Sequence, residues 1–428
     1  MRTIRVGLIG LGTVGSGVVE ILQRHSAHFR TRAGVDLVLE RCADRDPARA
    51  AALGIGPESF TTDAADIIGD PAIDVVVELI GGTGAAREVV LDALKAGKAV
   101  VTANKALMAT HGREVMDTAA EHGVDVLFEA SVGGGIPIIN PLKHSLVSNE
   151  IQAVYGIVNG TTNYMLTRMA EDGLDYDTAL AEAQERGFAE ADPTADVDGL
   201  DAAAKIAILA SIAFNSRVTF ADVPAEGIRS ITPGDIAYAR ETGYEIKLVA
   251  IARRVDGGVD ARVQPTMIRT DHPLAKVNGV YNAIYVIGDA VGETMFFGEG
   301  AGSLPAASAV VGDIIEAARH IQSGCAGLVG CTCSEELPVR DIADLETAYY
   351  VRLHVADEPG VLASVAGIFA EHRVSLASVI QRHVEDGAAE IVWITHRAAE
   401  RDARAALDRI AALDVVHGIG SVLRVEEL

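Results

Sequence analysis

Along the first third of the chain, short apolar runs alternate with stretches whose apolar residues recur every three or four positions, the pattern of a parallel sheet covered by helices. Val6 to Gly10, Val35 to Ala43, Asp74 to Leu79, Val100 to Thr102 and Val124 to Glu129 read as strands. Val14 to His25, Thr83 to Gly97 and Gly112 to His122 read as the helices between them. This order predicts a Rossmann-type, doubly wound α/β domain over residues 1–130. Beyond Gly133 the texture changes to a glycine-rich loop and longer helical patterns at Thr162 to Asp172, Tyr176 to Arg186 and Leu200 to Phe214. Strand-like alternation returns at Glu245 to Arg253, Ala261 to Pro265 and Tyr281 to Gly288, so residues 131–323 are expected to form an α+β domain with its own sheet.

Cys325 to Asp341 mixes Gly, Cys, Ser, Glu and Pro without a period, which places a linker at about residues 324–347. The pattern then resumes over 348–428. A strand at Tyr349 to Val355, a turn at Asp357-Glu358-Pro359-Gly360 and a helix at Val361 to His372 come first. Strands at Val374 to Val384 and Glu390 to His396, joined through Glu385-Asp386-Gly387, precede a helix at Glu400 to Leu413 and a last strand at Gly418 to Val425. The order β-α-β-β-α-β predicts a ferredoxin-like domain.

Composition narrows what these domains can do. With 49% apolar and 22% charged residues in 428 positions, there is hydrophobe for several cores. A formal charge of -24 argues against nucleic acid or an anionic membrane as partner, because either must be met by a basic surface. An anionic ligand must then find local positive potential at a helix N-terminus or a few placed cations. No apolar run approaches the roughly 20 residues that cross a bilayer, and Met1 to Gly7 runs straight into a strand pattern with no signal-peptide features. Four unevenly placed cysteines give no disulfide framework, so a reducing, cytoplasmic setting is expected. Cys331 and Cys333 form a C-x-C pair inside the linker, with no further metal ligands near them in sequence.

Chemistry concentrates in three places. Gly10-x-Gly12-x-x-Gly15 follows the first strand and opens a helix, the context in which backbone amides, here including Thr13 and Val14, cradle a pyrophosphate. After the second strand, Asp44 could accept from the ribose hydroxyls of NAD, whereas Arg45 could pair with the 2′-phosphate of NADP, so both cofactors stay open. Thr102-Ala103-Asn104-Lys105 stands at the carboxyl edge of the fourth strand, where a lysine can face a nicotinamide. Between Gly187 and Lys205 five carboxylates crowd together; Asp201 and Lys205, four apart, share a helix face, and Lys205 leads into Ile206-Ala207-Ile208-Leu209-Ala210. A cation heading so apolar a run implies a cleft or a tight ion pair.

The run Gly-Phe-x-Glu-x-Asp-Pro-x-x-Asp-x-x-Gly-x-Asp-x-x-x-Lys from Gly187 to Lys205 resembles the signature of the homoserine dehydrogenase family. Thr102 to Lys105 and Glu129 to Pro137 resemble it too, in the same order, and the similarity extends over residues 1–320. The resemblance implies a nicotinamide-dependent interconversion of aspartate 4-semialdehyde and homoserine, serving threonine, methionine and isoleucine synthesis. Lys205 and Lys105 would stabilise the developing alkoxide and supply its proton. Glu190 and Asp201 would hold the substrate's ammonium group and hydroxyl end, and Gly187 and Gly302 would close over the cofactor. A sodium-type cation is implied beside Glu129 and the carbonyls of Val132, Gly134 and Ile136; a glycine hinge is the other reading of that stretch. Dimerisation through 131–323, giving a homodimer or homotetramer, is implied as well. Residues 348–428 resemble an ACT domain on Asp357-Glu358-Pro359-Gly360-Val361-Leu362 and an asparagine-less Arg373-Val374-Ser375-Leu376, which implies an amino-acid effector, threonine being the natural choice.

Overall fold

The computed structural model describes residues 2–327, 330–384 and 388–427. By contact density they divide into two compact units that do not follow chain order. Unit 1 comprises 1–158, 204–223 and 281–337; unit 2 comprises 159–203, 224–280 and 338–428.

Unit 1 opens with six parallel strands: β1 (Thr3–Ile9), β2 (Asp36–Ala43), β3 (Phe60–Thr61), β4 (Val75–Glu78), β5 (Ala99–Thr102) and β6 (Val126–Leu127), in the order β3-β2-β1-β4-β5-β6. The strand order reverses beside β1, so a crevice opens at the carboxyl ends of β1 and β4. Five of these strands were expected; β3 is two residues long and too short to register as a period. Val6, Leu8, Val75, Val77 and Val101 are fully buried, and helix Ser303–Ser323 packs on them through Ala307, Val310 and Ile314. That helix and the strand Gly292–Glu299 had no counterpart in the sequence reading. The helix expected from Gly112 begins seven residues earlier, at Lys105, because the Asn104 side chain caps it by accepting from the Leu107 amide. The strands Ile151–Ile157, Tyr281–Gly288 and Gly292–Glu299 form an antiparallel set in the same unit.

In unit 2 the strands Glu346–Ala356, Leu376–Val384, Ala388–Thr395 and Val416–Glu426 carry the helices Val361–Glu371 and Glu400–Ala411. The last strand pairs with the first, the first with the third and the third with the second, which is the ferredoxin-like arrangement. Its core holds Val351, Leu353, Val365, Phe369 and Trp393, the last two rings 5.6 Å apart. The sheet does not stop there: Val416–Glu426 pairs in parallel with Gly258–Arg269, which forms a hairpin with Tyr244–Val255. The turn expected at Glu385-Asp386-Gly387 lies outside the described residues, as do 328–329 within the expected linker.

Candidate active site

The glycine turn after β1 shows three separate demands. Gly10 sits at φ +102 with its amide donating to Ala43, and a Cβ there would lie 2.7 Å from the Leu79 backbone. At Gly15 a Cβ would be 2.0 Å from the Gly10 carbonyl oxygen. Gly12 has nothing within 4 Å of that position and is the N-cap of helix Thr13–His28, whose first turn has no side-chain cap. Amides at Thr13 and Val14 thus begin a helix whose dipole and uncapped end suit a pyrophosphate, so the turn fits a dinucleotide.

A second helix start comes to the same place. Gly302, at φ +128, is the uncapped N-cap of Ser303–Ser323, and Ser303 Oγ donates to the Thr13 carbonyl at 2.7 Å. The close approach explains Gly17, where a Cβ would meet Ser303 and Ala307 at under 3 Å. Asp44 points back into the turn: its carboxylate accepts from Leu11 N at 2.7 Å and Asp46 N at 2.9 Å, with Arg49 at 3.5 Å. Burial alone would raise its pKa, but these amides and Arg49 lower it. Arg45 and Arg49 are exposed.

Lys105 is positioned by a buried network that the sequence reading missed. Glu78, fully buried at the end of β4, accepts from Ile80 N, Gly81 N and Thr102 Oγ1 at 2.7–2.9 Å. Thr102 Oγ1 accepts in turn from the Asn104 amide, and the Asn104 side chain donates to Gly82 O while capping the helix that Lys105 begins. A carboxylate closing the apolar run Val75-Val76-Val77 was the available signal.

Lys205, 8% exposed, donates from Nζ to the Val158 carbonyl at 2.6 Å. Opposite the end of Ile151–Ile157, in the neighbouring strand, lies Asn282, 1% exposed, with neither polar side-chain atom partnered. Gly300 packs so tightly over this amide that a Cβ would overlap it. A second asparagine organises the acidic segment in unit 2: Asn159 Nδ2 donates to Asp196 Oδ1 at 2.7 Å and Asp201 Oδ2 at 3.0 Å, and its Oδ1 accepts from Thr162 N to cap helix Gly160–Asp172. Glu190 and Gly187 are exposed, and Gly187 has φ +73.

Glu129 is buried, and burial raises its pKa. Its carboxylate accepts the amides of Ile138, Ile139 and Asn140 at 2.6–2.8 Å, so it first of all caps that turn. Val132, Gly134 and Ile136 belong to the intervening loop, which Gly133 (φ +74) and Gly134 (φ +56) turn against the Gly300 backbone. Among the described residues no group of three His, Cys, Asp or Glu could hold a metal ion. In the ferredoxin-like domain Gly360, at φ +100, starts the helix after Asp357-Glu358-Pro359, and Arg373 holds φ +61, a conformation an asparagine takes more readily.

Comparison with known proteins matches three family models: homoserine dehydrogenase, NAD binding domain over residues 10–129; homoserine dehydrogenase over 137–315; and ACT domain over 349–415. A homoserine dehydrogenase of Synechocystis is 49% identical, covering 99% of each chain. The solved structure of a homoserine dehydrogenase from Thiobacillus denitrificans superposes with a TM-score of 0.95 at 43% identity, covering 100% of this chain and 99% of that one. A hyperthermophilic archaeal homoserine dehydrogenase in complex with NADPH matches with a TM-score of 0.64 at 30% identity, covering 74% of this chain and 98% of its own.

Proposed function

The chain belongs to the homoserine dehydrogenase family and is an NAD(P)-dependent oxidoreductase with a C-terminal ACT domain, and on that premise we propose that it interconverts L-aspartate 4-semialdehyde and L-homoserine with Lys105 and Lys205 at the reacting oxygen. The observation that carries this reading is the Lys205 ammonium, kept 8% exposed in an apolar helix. Such a group costs stability unless it is paired and used, which is the usual mark of a working site.

When bound, the nicotinamide supplies the hydride that reduces the aldehyde carbon. Lys105 and Lys205 stabilise the oxygen as negative charge develops on it, and one of them delivers the proton. Asp201, oriented by Asn159, and Glu190 hold the substrate's polar ends. Gly10, Gly12, Thr13, Val14 and Gly15 hold the pyrophosphate, Thr102 lies by the nicotinamide edge, and Gly187 and Gly302 close over the cofactor. Asp44 spends its carboxylate on backbone amides while Arg45 and Arg49 stay exposed, which favours the 2′-phosphate of NADP over the bare ribose of NAD. The archaeal relative's NADPH complex supports the same choice.

In this reading residues 1–130 serve the dinucleotide, 131–323 the substrate and a homodimeric or homotetrameric contact, and 348–428 the effector, which is threonine in a pathway toward threonine, methionine and isoleucine. Glu129 with the Val132, Gly134 and Ile136 carbonyls is an all-oxygen donor set of the kind a sodium-type cation takes. No helix among the described residues is long and apolar enough to cross a membrane, in keeping with a cytoplasmic enzyme.

Replacing Lys205 by Ala tests the assignment. Turnover of homoserine should fall about 10²- to 10⁴-fold while NADPH affinity, read by fluorescence titration, stays unchanged; undiminished turnover removes Lys205 from the chemistry. Threonine added to the assay should inhibit the intact enzyme, and substitution of Asp357 or Glu358 should shift its half-inhibitory concentration without changing basal turnover. Equal inhibition in all variants would move the effector site elsewhere.

A further inference from the structure

A cavity in unit 1 is separate from the dinucleotide turn. It encloses about 550 Å³ between helix Lys105–His122, the end of helix Leu200–Ala213 and the segment 331–337. Met108, Met116, Phe128 and Ile212 give it an apolar floor, and Lys143 and Arg217 place cations on its wall. Both cysteines of the C-x-C pair line it, Cys331 exposed and Cys333 half-buried.

The segment that carries the pair is anchored. Glu335 N donates to Asn215 O and Leu337 N to Ser216 Oγ. Ser334 N bonds back to Thr332 O at 2.7 Å, a tight turn centred on Cys333. Cys333 Sγ donates to the Ser211 carbonyl at 3.6 Å, at the helix end. One sulfur is therefore open to solvent while its partner is fixed beside it.

The two sulfurs are chemically unequal. The adjacent Cys333 thiol and amide lower the Cys331 thiol to about 6 against the pull of burial, and Lys143 adds to the lowering. The nearby Cys331, with burial, raises Cys333 and keeps it protonated. Lys143 lies over the Phe128 ring at 5.2 Å and is itself lowered by burial; Asp117, the acidic group facing Cys331, opposes its ionisation. The other cysteines lack this setting. Cys42 is buried with its thiol raised to about 12, and Cys325 donates to the His320 carbonyl at 3.7 Å.

We propose that Cys331 is a thiol–disulfide exchange site open to small disulfides, with Cys333 as the thiol that resolves the adduct. The Cys331 thiolate attacks one sulfur of a low-molecular-weight disulfide RSSR, forming Cys331–S–SR and releasing RS⁻. Cys333 then gives up its proton and attacks the Cys331 sulfur, expelling the second RS⁻ and closing a Cys331–Cys333 disulfide. Two protein thiols are oxidised, one RSSR is reduced to two RSH, and the protons balance. A thiol whose pKa lies near ambient pH attacks best, and a neighbouring resolving cysteine is the usual companion of such a site.

Glutathione disulfide added to the reduced, full-length enzyme tests this by intact mass and peptide mapping. The wild type should end lighter by two hydrogen atoms, with the loss mapped to the peptide holding Cys331 and Cys333. Cys333→Ser should stop as a glutathione adduct on Cys331, and Cys331→Ser should leave Cys333 unmodified with basal turnover unchanged. The rate of adduct formation in Cys333→Ser measures general accessibility, and in the wild type the rate should reach half its maximum near pH 6 instead of the roughly 8.5 of an ordinary thiol. A glutathione adduct that persists on the wild type, modification confined to Cys325, or a wild-type half-maximum near 8.5 would each overturn the proposal.

Discussion

The dinucleotide region and the ACT-bearing region use their charges in opposite ways. In β4 and β5 the polar residues, Glu78 and Thr102, stand at the carboxyl ends, with Asn104 beside the turn and Asp44 on it. Unit 2 instead buries ion pairs within its sheet. Asp235, with no exposed surface, accepts from Arg352 Nε at 2.7 Å and Tyr350 Oη at 3.3 Å, and also from Ser421 Oγ. Arg352 goes on to Glu390 at 2.9 Å. Arg424 joins Glu400 and Glu226, and Arg262 joins Glu426 and Asp260.

The difference separates carboxylates that hold backbone turns at one sheet edge from charges held for each other. Buried pairs add little net stability but penalise any arrangement in which one partner is missing. Here they fix the ACT strand Glu346–Ala356 to helix Pro233–Glu241, which packs on helix Gly160–Asp172. The cap of that last helix is Asn159, the residue that holds Asp196 and Asp201. A buried ion pair thus stands between the ACT domain and the acidic segment within one unit. Cutting the ACT domain off near Asp341 would take Arg352, Glu426 and Arg424 from Asp235, Arg262 and Glu226, so point substitutions probe the ACT domain more cleanly than truncation does.

The largest effect should come from breaking one buried pair from one side. Asp235→Ala removes a capping box and the more deeply buried of the two carboxylates that pair with Arg352, and should cost about 3–5 kcal/mol in chemical denaturation. A loss under about 1 kcal/mol would mean that water reaches this pair and that the contrast with unit 1 is false.

Acid should pull the two regions apart next. In unit 2, burial alone would raise Asp235, Glu400 and Asp260, but their arginine partners and hydroxyl donors hold all three below the usual carboxylate range. A depressed folded-state pKa contributes stability present above about pH 4 and lost as pH falls through the folded value. In unit 1, burial raises Glu129 and, far more, Asp313, whose Oδ2 accepts the Glu129 amide. Their contribution runs the other way, complete below about pH 4 and lost as pH rises through the raised values. Hydrogen exchange, corrected for intrinsic rates, should show Val416–Glu426 losing protection on acidification while 129–140 gains it; parallel loss in both would remove the distinction.

The smallest effect sharpens the same point. Asp313→Asn keeps the acceptor for the Glu129 amide and removes a buried charge, so the melting temperature should hold or rise slightly near neutral pH. A fall of several degrees would show that the Asp313 carboxylate is paired after all.

Much of this was legible because it is local. The glycines at 10, 12 and 15, the strand periods and the β-α-β-β-α-β order all arise from residues close together in sequence. Gly112 misled by looking like a helix start, whereas the cap at Asn104 is eight residues earlier and needs only a side chain and the Leu107 amide. Strand β3 and Gly292–Glu299 hid for other reasons: one is too short, and the other, with alternate residues exposed, lies at the end of its strand set. What was not legible depends on distant partners. Glu78 finds Thr102 across 24 positions, Asn159 finds Asp201 across 42, and Arg352 finds Asp235 across 117. No spacing rule reaches such pairs; a lone charge or amide in an apolar stretch is the only hint they leave.

The most direct test of the catalytic account is a crystal structure of the full chain with NADP and homoserine, read for the distances from Lys105 Nζ and Lys205 Nζ to the substrate hydroxyl oxygen. Both amines should lie about 3 Å from that oxygen, directly or through one water, with Lys205 released from or sharing the Val158 carbonyl. Homoserine bound in order beside the nicotinamide with neither amine in hydrogen-bonding reach would contradict it.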